Sequence, residues 1–140
     1  MRAGDWMKRE LIHISPSESV RKAWALLREH RIRHLPVMDQ GKLVGIVTDR
    51  DVRLVFPSAL TSGAREQDPA DALEKVKVQE IMTKQVVTVS PDASIADVAR
   101  ILLERRIGGL PIVQQGRLLG IITKTDIIAA FVEIIGRKSQ

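Results

Sequence analysis

The strongest restriction on how this chain folds is a duplication at a fixed offset of 75 positions. The stretch Gly41-Lys42-Leu43-Val44-Gly45-Ile46-Val47-Thr48-Asp49-Arg50-Asp51-Val52 returns as Gly116-Arg117-Leu118-Leu119-Gly120-Ile121-Ile122-Thr123-Lys124-Thr125-Asp126-Ile127. Residues 13–52 align with 88–127 without a gap and share 16 identities in 40 columns, far above the roughly one in 17 that average composition allows. Even Met7 and Met82 stand at the same offset. A copy of about 50 residues buries little apolar surface alone, so two copies are expected to fold as one module.

Each copy carries the same order of signals. An apolar run, Leu11-Ile12-His13-Ile14 or Val86-Val87-Thr88-Val89, reads as a strand and stops at Ser-Pro. Polar residues at 17–19 and 92–94 then offer helix N-caps. Val20, Ala23, Trp24 and Leu27, and Ile95, Val98, Ala99 and Leu102, follow at i, i+3, i+4, i+7, the buried stripe of an amphipathic helix. A strand through Leu35-Pro36-Val37-Met38 or Leu110-Pro111-Ile112-Val113, a turn at Asp39-Gln40-Gly41 or Gln114-Gln115-Gly116, and a β-branched strand predict a hairpin. Proline in the first of these strands predicts pairing on one side only at that point. Thr48 and Thr123 open a closing helix, expected to stop at Pro57 in the first copy and to meet Gly136 as a C-cap in the second.

The unit is thus β-α-β-β-α, twice: an α+β fold whose copies are expected to pack sheet to sheet about a pseudo-two-fold axis. The predicted organisation is a first motif at 1–56, a linker at 57–76 with a helical turn near 70–75, and a second motif at 77–140.

Composition removes several functional classes. The chain has no cysteine, which excludes disulfides and thiolate-bound metals. Arg2, Asp5, Lys8, Arg9 and Glu10 leave no room for a signal-peptide core, and no apolar run approaches the ~18 residues of a membrane span. These features predict a soluble, cytoplasmic protein with no membrane partner. The net charge of +5 is uneven, with 11 Lys/Arg against 7 Asp/Glu in residues 1–56 and 11 against 10 in 57–140. Such an excess attracts phosphate-bearing molecules. It is spread along the chain, and no nucleic-acid motif accompanies it, so nucleic acid is the least favoured partner. His13, His30 and His34 fall on different elements, and no metal is required. Walker and Gly-x-Gly-x-x-Gly loops are absent, as is any arguable nucleophile–base pair. The expectation is a protein that is not an enzyme.

The combination of Ser-Pro-x-x-Ser, Leu-Pro-Val, Gly-x-Leu-x-Gly and Gly-Ile-Val-Thr-x-x-Asp resembles the CBS domain, and two in tandem resemble a CBS pair, or Bateman module. The resemblance covers roughly 5–56 and 78–135. The segments Asp5-Trp6-Met7 and Glu80-Ile81-Met82-Thr83 make the chain similar to stand-alone proteins of the acetoin-utilisation type. Such modules typically bind adenosine-containing ligands (AMP, ADP, ATP, sometimes S-adenosylmethionine or dinucleotides) in clefts between the repeats. The family pattern, carried over, implies one cleft formed by Thr48, Asp51, Lys84, Val86, Ile107 and Gly108. It implies a second formed by Thr123, Asp126, Arg9, Leu11, Ile32, Arg33 and His34.

The chemistry suits that role. A carboxylate offers acceptors for both hydroxyls of a ribose diol. The Thr hydroxyl and free N–H groups at a helix start suit a phosphate, and apolar walls suit a purine. Thr-x-x-Asp is equally the pattern of a capping box that needs no ligand. Arg33-His34 stands where the second copy has Gly108-Gly109. With Arg33 and His34 assigned to the Asp126 cleft, tighter polyphosphate binding is expected there. Trp6 and Trp24 are expected as core or dimer contacts. The apolar last helix (Ile127, Ala130, Phe131 and Ile134, widened by Ile128, Val132 and Ile135) predicts a homodimer. The function these expectations favour is an adenine-nucleotide sensor acting on a regulated partner protein of unknown identity. A ligand-free dimeric scaffold is the alternative, and a nucleic-acid binder comes third.

Overall fold

Two β-hairpins with the same irregularity anchor the computed structural model, which describes residues 1–9, 11–55 and 69–138. The elements run α1 (Ala3–Trp6), α2 (Val20–Glu29), β1 (His34–Asp39), β2 (Lys42–Thr48), α3 (Asp49–Val55), α4 (Pro69–Glu74), α5 (Val78–Ile81), α6 (Ile95–Arg105), β3 (Gly109–Gln114), β4 (Arg117–Thr123) and α7 (Lys124–Lys138). β1 pairs antiparallel with β2, and β3 with β4. The connecting residues have φ of 50° and 77° at Gln40-Gly41 and of 51° and 75° at Gln115-Gly116. Positive φ at both central positions marks a type I′ turn, whose twist matches that of paired strands. In each hairpin the register slips after the fourth pair, leaving Val44 and Leu119 as the extra residue of a bulge.

The flanks of each hairpin explain two sequence features. Ile14 N–H donates to the Pro36 carbonyl at 3.0 Å and Met38 N–H to the Ile14 carbonyl at 2.8 Å; Val89 does the same with Pro111 and Val113 at 3.2 and 2.9 Å. The strands expected over 11–14 and 86–89 shrink to these single parallel bridges. The next ladder bond towards Ile12 would need an N–H on Pro36, and proline has none.

On the opposite edge, Ile46 exchanges two backbone bonds with Thr83 (3.0 and 2.9 Å), and Ile121 exchanges two with Lys8 (2.8 and 3.1 Å). The segment before each copy therefore joins the hairpin of the other copy. Two compact units result: Ile12–Val86, and Met1–Leu11 with Val87–Gln140. Glycine makes this exchange feasible. A Cβ on Gly120 would stand 2.6 Å from the Lys8 carbonyl oxygen, and one on Gly45 would stand 2.6 Å from Met82 Sδ and 3.0 Å from the Thr83 carbonyl oxygen.

The helices form where capping and periodicity agree. Ser19 accepts from Lys22 N–H at 3.1 Å and Ser94 from Asp97 N–H at 3.0 Å, starting α2 and α6. Both helices end in a left-handed arginine, Arg31 (φ 54°) and Arg106 (φ 55°). The Ile32 and Ile107 N–H groups close back on the Leu27 and Leu102 carbonyls at 3.0 and 3.1 Å. α1 and α5 are single turns; the Glu80 carboxylate caps α5 by accepting from Lys77 N–H at 2.7 Å. Helix α7 runs through Gly136 to Lys138, which corrects the expected C-cap there: its last turn is continued by an Arg137–Glu133 ion pair. In the first copy α3 is described to Val55, and the expected stop at Pro57 lies outside the described residues. The linker contains α4, and residues 56–68 are likewise outside.

Each unit has its own apolar centre. In the first, Val20, Ala23 and Leu27 of α2 meet Leu35, Val37, Val47 and Val52, with Leu73 supplied by α4 and Val78 by α5. In the second, Ile95, Val98 and Leu102 meet Leu110, Ile112, Ile122 and Ala130, with Ala3 supplied from the N-terminus. Trp6 packs against the second core and Trp24 against the first, where the Arg28 and Arg53 guanidinium groups lie 5.8 and 5.6 Å from its ring centre.

Candidate functional site

Both Thr-x-x-Asp motifs sit where a bulged strand hands over directly to a helix, and both make the capping bond. Thr48 N–H donates to Asp51 Oδ2 at 2.9 Å, and Asp51 N–H donates to Thr48 Oγ1 at 3.1 Å, a reciprocal box. In the second copy Thr123 N–H donates to Asp126 Oδ2 at 2.9 Å, while the Thr123 hydroxyl donates to the same oxygen at 3.2 Å. The two carboxylates thus have different capacities left. Oδ2 of Asp126 already accepts two bonds, whereas Oδ2 of Asp51 accepts one, and each Oδ1 is outside the box. Asp126 is buried at 8% exposure; Asp51 is half-buried.

The helix starts offer fewer donors than expected. Asp49 N–H goes to the Arg33 carbonyl at 3.2 Å, and Lys124 N–H to the Gly108 carbonyl at 2.9 Å. Asp51 N–H is also taken, by Thr48 Oγ1.

These bonds fix the backbone around each motif. Arg33 and His34 were expected beside Asp126, and Gly108 beside Asp51. The register pairs His34 with Thr48 and Gly109 with Thr123, so the residues before Leu-Pro flank the Thr-x-x-Asp of their own copy. The reason is the hairpin itself, since the strand that begins at residue 34 must lie against the strand that ends at residue 48.

Of the expected site residues, the unit Ile12–Val86 contains Ile32, Arg33, His34, Thr48, Asp51, Lys84 and Val86. Lys84 follows Thr83, which is bonded to Ile46 of β2, and is exposed. Within the other unit lie Arg9, Leu11, Ile107, Gly108, Thr123 and Asp126. Arg9 Nη2 donates to the Gly4 carbonyl at 3.3 Å. It lines an open pocket of about 260 Å³ with Arg2, Asp92 and Gln114, near the turn end of the β3–β4 hairpin, whereas Thr123 is at the other end. Arg50, two residues after Thr48, stands where the second copy has Thr125. Among the described residues no group of three or more His, Cys, Asp or Glu could hold a metal ion, and no helix is long and apolar enough to cross a membrane.

Comparison with known proteins places this geometry. The family model for the CBS domain matches twice, over residues 3–58 and 78–133. The structure of the acetoin utilisation protein AcuB from Vibrio cholerae is similar at a TM-score of 0.78 and 26% identity, covering 99% of this chain and 96% of that one. The CBS domain pair of protein MJ0100, in complex with 5′-methylthioadenosine and S-adenosyl-L-methionine, is similar at 0.76 and 32%, covering 94% and 99%. CBSX2 in complex with AMP is similar at 0.77 and 31%, covering 95% and 97%. Two matches to one family model, on the two copies that share the exchanged-segment hairpin, establish that this chain belongs to the CBS domain family as a tandem pair.

Proposed function

We propose that this chain is a regulatory module that binds adenosine-type ligands, AMP, ADP or ATP first among them, and transmits occupancy to a partner protein. The observation that carries the reading is the duplicated carboxylate, held rigidly by its Thr through Oδ2 and keeping acceptor capacity at Oδ1 for a ribose hydroxyl. Capping and binding do not compete for the same lone pairs, so the box orients the carboxylate for a ligand. The complexes of similar CBS pairs with AMP, 5′-methylthioadenosine and S-adenosyl-L-methionine support this ligand class. The proposed contacts are Thr48, Asp51, Lys84, Val86, Ile107, Gly108, Thr123, Asp126, Arg9, Leu11, Ile32, Arg33 and His34. By linkage, a partner that senses the ligand must change ligand affinity by the same factor.

The proposed assembly is a homodimer through α7. Ile128, Phe131, Val132 and Ile135 are 62, 60, 63 and 46% exposed at i, i+3, i+4, i+7 spacing. An apolar stripe of this kind is self-complementary about a two-fold axis, and a second copy is its simplest cover.

The test is a thermal-shift panel with AMP, ADP, ATP, 5′-methylthioadenosine, S-adenosylmethionine and GTP at fixed protein concentration. A ligand at 100 times its Kd stabilises the folded state by about 2.7 kcal/mol. A rise selective for adenine compounds is the expected result. No shift with any of them at millimolar concentration refutes the reading and leaves the boxes as caps in a ligand-free scaffold.

A further inference from the structure

A small open pocket in the second unit carries unpaired charges of both signs, and we infer that it binds a free α-amino acid with an apolar side chain. This site is separate from the Thr-x-x-Asp motifs, and the inference stands without the adenosine reading. The pocket encloses about 260 Å³ and is built only from residues of the unit Met1–Leu11 with Val87–Gln140. Drug-sized ligands fill pockets of roughly 300–1,000 Å³, so this one suits a smaller molecule. Met7 and Leu119, both half-buried, supply its apolar wall. The pairing of Lys8 with Ile121 fixes the backbone between Met7 and Arg9, so the site is formed before any ligand arrives.

The charges in the wall are placed but not all joined. Arg2 Nη1 pairs with Asp92 Oδ1 at 3.3 Å, and those two neutralise each other. Arg9 has spent one of its five N–H donors on the Gly4 carbonyl at 3.3 Å, which anchors the guanidinium beside α1. Asp5, the residue after that carbonyl, lines the same pocket and is exposed. Among the described residues its carboxylate makes no ion pair and no hydrogen bond, with Arg9 or with any other group. A ligand that satisfies both groups must carry a cation and an anion close together. An α-amino acid has an ammonium for Asp5 and, on the same carbon, a carboxylate for the planar fork of Arg9. A simple amine or a simple acid would satisfy one wall group and leave the other unpaired. Met7 and Leu119 favour an apolar side chain.

The repeat shows that Asp5 is not spent on the fold. Asp5 and Glu80 occupy the same repeat position, the third residue of a single-turn helix. Glu80 closes its helix by accepting from Lys77 N–H at 2.7 Å. Asp5, one methylene shorter, makes no such bond to Arg2 N–H and remains available to the pocket. Gly4 stands where the first copy has Gln79, so the wall here is bare backbone, and its carbonyl holds Arg9. Arg9 itself stands where the first copy has Lys84, which lacks the fork that receives a carboxylate. Asp92, the partner of Arg2, stands where the first copy has Ser17. The backbone repeats, and the chemistry of this wall does not.

The experiment follows amide chemical shifts of the full chain during titration with L-leucine, L-leucine methyl ester and 4-methylpentanoate. The ester keeps the ammonium and masks the carboxylate; the acid lacks the ammonium. Leucine should give saturable shifts at Asp5, Met7, Arg9 and Leu119. Each analogue should bind at least about 10-fold more weakly, the low end for a lost charged hydrogen bond. Asp5→Ala should weaken leucine about 10–100-fold and leave AMP within about twofold, because Asp5 is outside the proposed adenosine contacts. Arg9→Gln should weaken leucine by a similar factor; Arg9 is also a proposed adenosine contact, so only leucine is read in that variant. Circular dichroism checks each fold. Absence of saturable shifts at millimolar leucine overturns the inference. So does an analogue that binds as tightly as leucine, or an Asp5→Ala protein with unchanged leucine affinity. AMP is titrated into wild type separately, so a failure of the adenosine reading is seen apart from a failure here.

Discussion

Replacing Gly120 by alanine attacks the pairing between the N-terminal segment and β4, and the size of the effect follows from the distances. The new methyl group would lie 2.6 Å from the Lys8 carbonyl oxygen and 2.9 Å from Met7 Sδ. A carbon needs about 3.3 Å from a carbonyl oxygen, so the segment must retreat by roughly 0.7 Å. Lys8 is tied to Ile121 by bonds of 2.8 and 3.1 Å, and such a retreat stretches both towards the limit of hydrogen bonding. Each bond contributes about 0.5–1.5 kcal/mol net, and overpacking that is not relieved by movement costs about 1–3 kcal/mol. Since movement trades one cost for the other, the expected loss is about 2–4 kcal/mol. At roughly 2–4 °C per kcal/mol for a chain near this length, the melting temperature should fall by roughly 4–16 °C.

Two companion variants calibrate the number. Gly45→Ala should cost less, because its shortest contact, 2.6 Å, is to the flexible end of Met82. Gly136→Ala has nothing within 4 Å and should stabilise α7 by about 0.5–1 kcal/mol. Urea unfolding measures all three, and amide exchange at Lys8 and Ile121 reports the pairing itself. A Gly120→Ala protein within 0.5 kcal/mol of wild type, or one with unchanged protection at those two amides, refutes the close approach.

Two other outcomes are expected. Arg106→Gly places at a left-handed helix end the residue that adopts φ near 55° without a Cβ penalty, and should raise stability by about 0.5–1 kcal/mol in the same urea assay. Phe131→Glu puts a charge into the exposed stripe of α7 and should convert the proposed dimer to monomer in light scattering at micromolar concentration. An unchanged mass would move the interface elsewhere.

How much of this was legible in the sequence depends on the length scale of each signal. The hairpins were readable because Gly41 and Gly116 fix the turn and the flanking runs are β-branched. The caps at Ser19 and Ser94 were readable because side chain and partner lie three residues apart. What escaped was of two kinds. Single-turn helices such as Ala3–Trp6 and Val78–Ile81 are shorter than any apolar period, so nothing repeats within them to detect. The partner of a strand edge is a non-local choice. Gly45 and Gly120, with Met82 and Met7 at matching offsets, recorded that something approaches closely, without saying that it comes from before the other copy.

The same limit governed the site. Thr48, Asp51, Thr123 and Asp126 could be named from the motif alone. The side-chain neighbours of Arg33 and His34 lie beyond what a local pattern encodes, although their backbone is placed by the pairing of His34 with Thr48.

The central claim is that the duplicated carboxylates hold adenosine ligands, and its most direct test is equilibrium titration of AMP into wild type and into the Asp51→Asn/Asp126→Asn double variant. The account predicts saturable binding to wild type that falls at least about 10-fold in the double variant, as loss of a charged hydrogen bond requires. Equal affinity in the two proteins would contradict it.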